Sequence, residues 1–523
     1  MPPPTPPSVL ISLDKMSSKS STSLSRSSFD VDKHLHLHHF TSEETMSVRS
    51  DCGSPVSLRL KAAEALERKV WFKLDKWILP VVTMFYLLSF LDRTNLGNAR
   101  VAGLQKDLKM TNDQYSIALT VTYIPYILAE LPSNLLLKAV GPNLMLPTML
   151  TLWGIVTALQ GLVTSYGGLL AARFFLGLFE GGVFPGLVLY LSSFYPRQKL
   201  QWRISVFFSA ASLSGAFSGL LAFGIINMHG VGNKPGWAWI FILEGLFTFC
   251  FGVTSFVLLP RSPAHATFLR KEERDYVMAR LKEDGAVERD DRVDKFSWKE
   301  VRKAFGLPQV WLLAIVLFMD GTVLYGLAYF TPSIVQGLGF TPAKTQLMSV
   351  PPFAAAFFVT MLGAFVSDRY RCRGLVSIFA FVLCIIGFSI YLVSTKHHLQ
   401  YASLFFSITG VYLSAPSLST WNANNAAPHT RRATAIAIGF IMTNSGGILA
   451  TWLLGSLSAP PRYDLATKLL LGFSIAMVVV SALNLAYLWN ENRKKKVMRE
   501  RLGIRSQETP GMGDQSAWYV YAL

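Results

Sequence analysis

Apolar runs of bilayer length recur along this chain, separated by short polar breaks. They fall, to within a few residues, at 76–98, 115–138, 143–163, 166–192, 203–227 and 237–259, and again at 308–334, 345–367, 374–395, 400–422, 433–456 and 466–489. A helix of such length crosses a hydrocarbon core of about 30 Å. Bare backbone cannot face lipid, so helix is the spanning element to expect. The pattern predicts an all-α membrane protein with twelve transmembrane helices in two six-helix bundles, divided by a charged stretch at 260–306. The expected organisation is a disordered tail over 1–70, a first bundle over 71–259, a linker over 260–307, a second bundle over 308–489 and a tail over 490–523.

Composition agrees with a membrane protein. Of 523 residues, 51% are hydrophobic and 15% charged, with a mean hydropathy of +0.36. Soluble domains carry about 25% charged residues. The net charge of +17 raises nucleic acid as a partner, but the charge distribution argues against it. Arg197, Lys199 and Arg203, the 260–306 stretch, Arg369, Arg371 and Arg373, Arg431 and Arg432, and the final "NRKKK" all fall in alternate loops. The opposite loops carry single charges such as Lys234, Lys344 and Lys396, with Arg100, Lys106 and Lys109 as the exception. By the positive-inside rule both termini and the linker are expected in the cytoplasm, with the plasma membrane as the expected location.

The tails offer little chemistry. The Pro/Ser-rich start lacks the apolar core of a signal peptide and has the composition of a disordered segment. The "HLHLHH" run at 34–39 has no acidic or Cys partner nearby, so no metal site is read there. Cys52, Cys250, Cys372 and Cys384 show no disulfide framework. No Walker-type phosphate loop and no nucleophile constellation occur, so neither an enzyme, a cofactor nor ATP drive is expected.

The two halves resemble each other. If Asp368 and Arg369 of "GAFVSDRYRCRG" align with Leu137 and Lys138, the offset is 231 residues. Ser214-Gly215 of the fifth run and Ser445-Gly446 of the eleventh match at the same offset. Duplicated helical units of this kind mark secondary transporters.

These residues carry a resemblance. "GAFVSDRYRCRG", residues 363–374, resembles the loop signature of the major facilitator superfamily, and "RFFLGLFEGGVFPG", 173–186, its fourth-helix motif. Together with "YLLSFLDRTNLGNA", 86–99, and "WAWIFILEG", 237–245, the chain is similar to the anion:cation symporter family, whose fungal branch includes allantoate, nicotinate and pantothenate permeases. The resemblance spans about 70–490. It implies that Asp368, Arg369 and Arg373 form a gating latch. The first half departs from the pattern, with Leu137 where the loop Asp is expected.

The intramembrane charges are the candidate machinery. Each costs about 2.5–3.5 kcal/mol at a helix centre on insertion scales, so each turns toward protein or water. Asp92 and Arg93 point about 100° apart, and Arg173 and Glu180, seven residues apart, share a face. Asp92–Arg173 and Arg93–Glu180 can therefore pair crosswise. Helices one and four line the central cavity of the resembled superfamily, whose corresponding acids take protons and whose arginines hold anions. Arg suits bidentate carboxylate recognition, and a carboxyl in a dry site can exchange protons near neutral pH.

Other candidates are weaker. Asn422 and Asn425, with Asn424, can donate to a carboxylate, and Tyr123, Tyr126, Tyr325 and Tyr329 can stack on a ring. Glu130, Glu244 and Asp320 also fall in the runs. For all of these, structural hydrogen bonding or packing competes with substrate contact. The Gly215–Gly219 spacing reads as close helix contact. The reading is a monomeric secondary transporter coupling protons to a small organic anion. Export of a metabolite and a non-transporting nutrient sensor stay open as alternatives.

Overall fold

Local sequence signals set the helix ends. Thr111 and Gln114 form a reciprocal capping box, each side chain accepting from the other's backbone N–H at 3.2 and 3.0 Å. Ser165 caps the fourth long helix through the N–H of Gly168. Gly141, at φ 95°, lets the chain leave one helix and enter the next.

The computed structural model describes residues 55–283, 298–370, 372–502 and 513–523. Residues 65–523 form one unit. The long helices are α1 Pro55–Val101, α2 Asn112–Val140, α3 Pro142–Gln160, α4 Tyr166–Ser192, α5 Arg197–Ile225, α6 Gly236–Leu258, α7 Pro308–Gly337, α8 Pro342–Tyr370, α9 Arg373–Val393, α10 His397–Asn424, α11 His429–Trp452 and α12 Asp464–Leu502. Among the described residues ten of these are long and apolar enough to cross a membrane; α2 and α10 have the length but are not among the ten. α10 buries Ser403, Ser407, Thr409, Ser414 and Ser417 against its neighbours, which lowers its apolar content.

Two boundaries differ from the sequence reading. α1 begins at Pro55, ahead of the expected end of the tail at 70. Its early turns are rich in Ala, Leu, Glu and Lys, all good helix formers, and Val70, Leu74 and Ile78 then bury one stripe. α12 runs on to Leu502 instead of stopping near 489. Of the predicted disordered tail, residues 1–54 lie outside the described residues.

The duplication is visible in the packing. α3 and α9 start 231 residues apart, as do α4 and α10. In the first half α3 packs on α4 and α6, and α2 on α4; in the second half α9 packs on α10 and α12, and α8 on α10. The halves meet through α5 on α8 and α2 on α11, again related pairs. Gly215 and Gly219 are needed at the α5–α8 crossing: a Cβ there would meet the Phe353 ring, or the Gln346 carbonyl at 2.8 Å.

Cross-half hydrogen bonds sit toward the face opposite the termini. Gln346 donates to the Asn98 carbonyl at 3.2 Å, Ser116 to the Thr451 carbonyl at 3.1 Å, and the Tyr123 and Tyr329 hydroxyls lie 3.2 Å apart. At the terminus face several ion pairs lie within one half and its attached segments. Arg203 grips Asp75 with two bonds of 2.6 and 2.8 Å, and Lys73 binds Glu273 of the linker helix Lys271–Glu283 at 2.7 Å. Arg431 lies between Glu300 of the helix Trp298–Phe305 and Asp514 of the C-terminal segment.

Candidate functional site

The sequence motif around Glu180 first builds a helix contact. Cβ atoms on Gly177 and Gly181 would collide with the backbone carbonyl oxygens of Thr122 and Tyr126. The two glycines thus bring α4 against α2 and fix the depth of the charges that flank them. α4 buries Leu169, Arg173, Leu176, Gly177 and Glu180 on one face.

Arg93 projects from α1 toward the junction of the halves. Its Nη2 donates to Glu180 Oε1 at 2.7 Å and its Nη1 to the Tyr325 hydroxyl of α7 at 3.2 Å. Ser89, one turn earlier on α1, donates to the same Glu180 oxygen. Three rings surround the guanidinium: Phe90 at 5.0 Å, Tyr126 at 5.4 Å and Tyr325 at 5.4 Å. Such contacts stabilise a desolvated cation by about 0.5–2 kcal/mol each. Tyr325 in turn donates to Asn444 of α11 at 3.4 Å, and the Tyr123 ring meets it edge-on at 5.5 Å. Arg93, Glu180, Tyr123 and Tyr325 are therefore one cluster spanning both halves.

Asp92 turns the other way. Trp153 of α3 donates to its Oδ2 at 3.3 Å. Arg173 lies over the Phe241 ring at 5.8 Å, with its Nε and Nη2 unpartnered. Among the described residues the ion pairs join Arg93 with Glu180 and do not join Asp92 with Arg173. The crosswise scheme is thus half realised, because α3 supplies Asp92 with a competing indole donor.

The asparagines lie elsewhere. Asn422 donates to the Ala435 carbonyl at 2.9 Å, holding α10 to α11. Asn425 exchanges two hydrogen bonds with the backbone of Ala522, at 2.8 and 3.0 Å. Both amides are engaged by backbone, so the structure does not bring them to the Arg93 cluster. Asp320 accepts from Ser414 at 2.5 Å between α7 and α10. At the inner loop, Arg373 is buried beside the Asn424 amide and Arg369 is exposed. The side chain of Asp368 lies outside the described residues.

Sequence reasoning missed Ser89, Trp153 and Asn444 as parts of the charged network. Ser89 was legible as the residue four before Arg93. Trp153 and Asn444 become relevant only through tertiary packing.

Comparison with known proteins follows the same line. The Major Facilitator Superfamily profile matches residues 82–451. An uncharacterized transporter of Schizosaccharomyces pombe is 37% identical over 92% of this chain and 96% of its own length. The high-affinity nicotinic acid transporter of Saccharomyces cerevisiae is 31% identical, covering 85% of this chain and 82% of its own. Among solved structures, a D-xylose–proton symporter superposes with a TM-score of 0.60 at 14% identity, over 78% of this chain and 96% of that one. The chain is a transporter and belongs to the Major Facilitator Superfamily.

Proposed function

We propose that the protein couples protons to the uptake of a small organic carboxylate of the nicotinate, pantothenate or allantoate kind. The observation that carries this reading is the buried Arg93 guanidinium, neutralised by Glu180 and ringed by Phe90, Tyr126 and Tyr325 at the junction of the halves. A carboxylate can take the place of Glu180 on the planar donor fork, and an aromatic or planar substrate can lie among the rings. The 31% identical nicotinic acid transporter supports this substrate class.

Drive follows from charge. Carrying a monoanion inward against a negative-inside potential costs about 2.3 kcal/mol per 100 mV. One proton moving with it cancels that electrical term. Glu180, released by Arg93 when substrate binds, loses its counter-charge and becomes the proton acceptor; Asp92 and Arg173 lie within electrostatic range of each other without pairing directly. Asp368, Arg369 and Arg373 latch the second half at the terminus face. The protein acts as a monomer in the plasma membrane with both termini inside.

The test is uptake of labelled nicotinate, pantothenate and allantoate into cells lacking their own carriers, at an acidic and a neutral exterior. Acid-stimulated accumulation of one of them supports the reading. Accumulation of none, with the protein at the cell surface, rejects uptake of this class.

A further inference from the structure

A second set of buried charges lies behind Arg93, enclosed by α1, α3, α4 and α6 of the first half. α3 sets Trp153, Thr157 and Gln160 along one face, and α6 sets Phe241, Glu244 and Thr248 along another. The two helices touch at this level, where a Cβ on Gly245 would collide with the Ala158 backbone. Asp92 enters from α1 and is held by Trp153; Arg173 enters from α4 over Phe241. Gln160 is 0% exposed and Glu244 7%, and neither the Gln160 amide nor either Glu244 carboxylate oxygen has a hydrogen-bond partner. Asp92 Oδ1, Thr157 Oγ1, and Nε and Nη2 of Arg173 are also unpartnered. Glu244 lies within electrostatic range of both Asp92 and Arg173.

The charges do not balance. Arg93 and Glu180 cancel each other as an ion pair. Lys199 and Arg203 of the neighbouring α5 are engaged at the terminus face by Glu67 and Asp75. That leaves Asp92 and Glu244 against Arg173 alone, one negative charge in excess in a dry interior. Such a charge is neutralised by taking up a proton. Between the two carboxyls, the indole N–H of Trp153, which can only donate, favours the ionised form of Asp92. Glu244 receives no donor.

We propose that Glu244 is a proton-binding site of the first half, distinct from the Arg93–Glu180 pair, and that it holds the one proton that neutralises the Asp92–Arg173–Glu244 set. A proton delivered by hydronium forms the O–H bond at a Glu244 oxygen and leaves water; its release to water reverses the step. Losing it restores one negative charge in the same half as Arg93, the guanidinium that the carboxylate reading assigns to substrate. A unit charge on the order of 10 Å from an anion, at an effective dielectric constant of about 20, weakens its binding by on the order of tenfold. This consequence rests on the substrate reading above, whereas the protonation of Glu244 does not.

The test uses full-length protein purified in detergent, compared by infrared difference spectroscopy near neutral pH. Wild type minus Glu244→Gln is expected to show one carbonyl stretch of a protonated carboxyl, and wild type minus Asp92→Glu, which keeps the charge balance, to show no shift of that band. Glu244→Asp, which keeps the acid, is expected to move the band without removing it. No band in the Glu244→Gln difference, or a band moved by Asp92→Glu instead, overturns the proposal. Nicotinate binding measured from acid to alkaline pH is the second readout: wild type is expected to weaken by on the order of tenfold more than Glu244→Gln, whose remaining weakening belongs to Glu180. Equal weakening in both proteins also overturns it. Absence of nicotinate binding in every protein rejects that substrate and leaves the infrared result standing.

Discussion

Replacing Arg93 with lysine keeps the positive charge and removes the fork. In the wild-type protein one guanidinium nitrogen serves Glu180 at 2.7 Å and a second serves Tyr325 at 3.2 Å, while the planar face rests among three rings. Lysine offers a single ammonium on a flexible stem and cannot reproduce this geometry. The surviving charge keeps Glu180 compensated, so the fold is expected to hold. The loss is then one charge-assisted hydrogen bond, about 1.5–3 kcal/mol, or about ten- to hundredfold in substrate affinity at 1.4 kcal/mol per decade. The assay is binding of nicotinate, a carboxylate of the proposed class, to purified protein, with surface level and thermal midpoint as controls. A Tyr325→Phe variant isolates the second hydrogen bond and is expected to weaken binding by less. Wild-type affinity in Arg93→Lys, with the protein intact, would falsify recognition of the anion by this fork.

Three further substitutions follow from the contacts. Glu180→Gln is expected to retain counterflow of substrate for substrate in vesicles and to lose accumulation driven by an acid exterior; full acid-driven accumulation would remove Glu180 from coupling. Gly181→Ala places a methyl against the Tyr126 carbonyl and is expected to lower the thermal midpoint or yield through overpacking of about 1–3 kcal/mol; a midpoint equal to wild type in detergent refutes the close α2–α4 contact. Asp514→Ala leaves the fully buried Arg431 with Glu300 alone, and breaking such a buried pair costs about 3–5 kcal/mol. A marked fall in melting temperature is expected, and an unchanged melt means that the C-terminal segment does not dock as described.

The helices were legible because a bilayer demands long uninterrupted apolar runs, and two motif matches, Asp368-Arg369 with Leu137-Lys138 and Ser445-Gly446 with Ser214-Gly215, carried the 231-residue duplication. The meeting of Arg93 with Glu180 was legible for a similar reason. A spacing of seven positions from Arg173 to Glu180 places them on one face, and glycines beside Glu180 mark a close crossing. What Asp92 would meet was not legible, since Trp153 lies 61 residues away on a helix whose own pattern reads as ordinary packing. Asn422 and Asn425 show the opposite failure. An amide near a helix end looks the same in sequence whether it serves a ligand or a backbone carbonyl. Their partners, Ala435 and Ala522, are fixed by tertiary structure. The docking of the final residues was hidden for the same reason: Asp514 and Tyr521 meet Arg431 and Asn492 only in the folded chain.

On the proposed reading, the position of Arg93 connects recognition with movement. Its guanidinium belongs to the first half, its acid partner Glu180 to the same half, and its hydroxyl partner Tyr325 to the second. Tyr325 is tied in turn to Asn444 on α11, a helix that also packs across the junction on α2. A ligand that takes the fork from Glu180 therefore changes a bond within one half and the bond between halves together. A ligand shifts a conformational equilibrium only by its difference in affinity for the two states. The arrangement supplies such a difference, because a carboxylate on Arg93 competes with Glu180 in every state but with Tyr325 only in the state in which the halves touch there. The cross-half contacts at the face opposite the termini, Gln346 on Asn98 and Ser116 on Thr451, carry no charge. Each contributes about 0.5–1.5 kcal/mol, within the range that loss of one charge-assisted bond at Arg93 can offset.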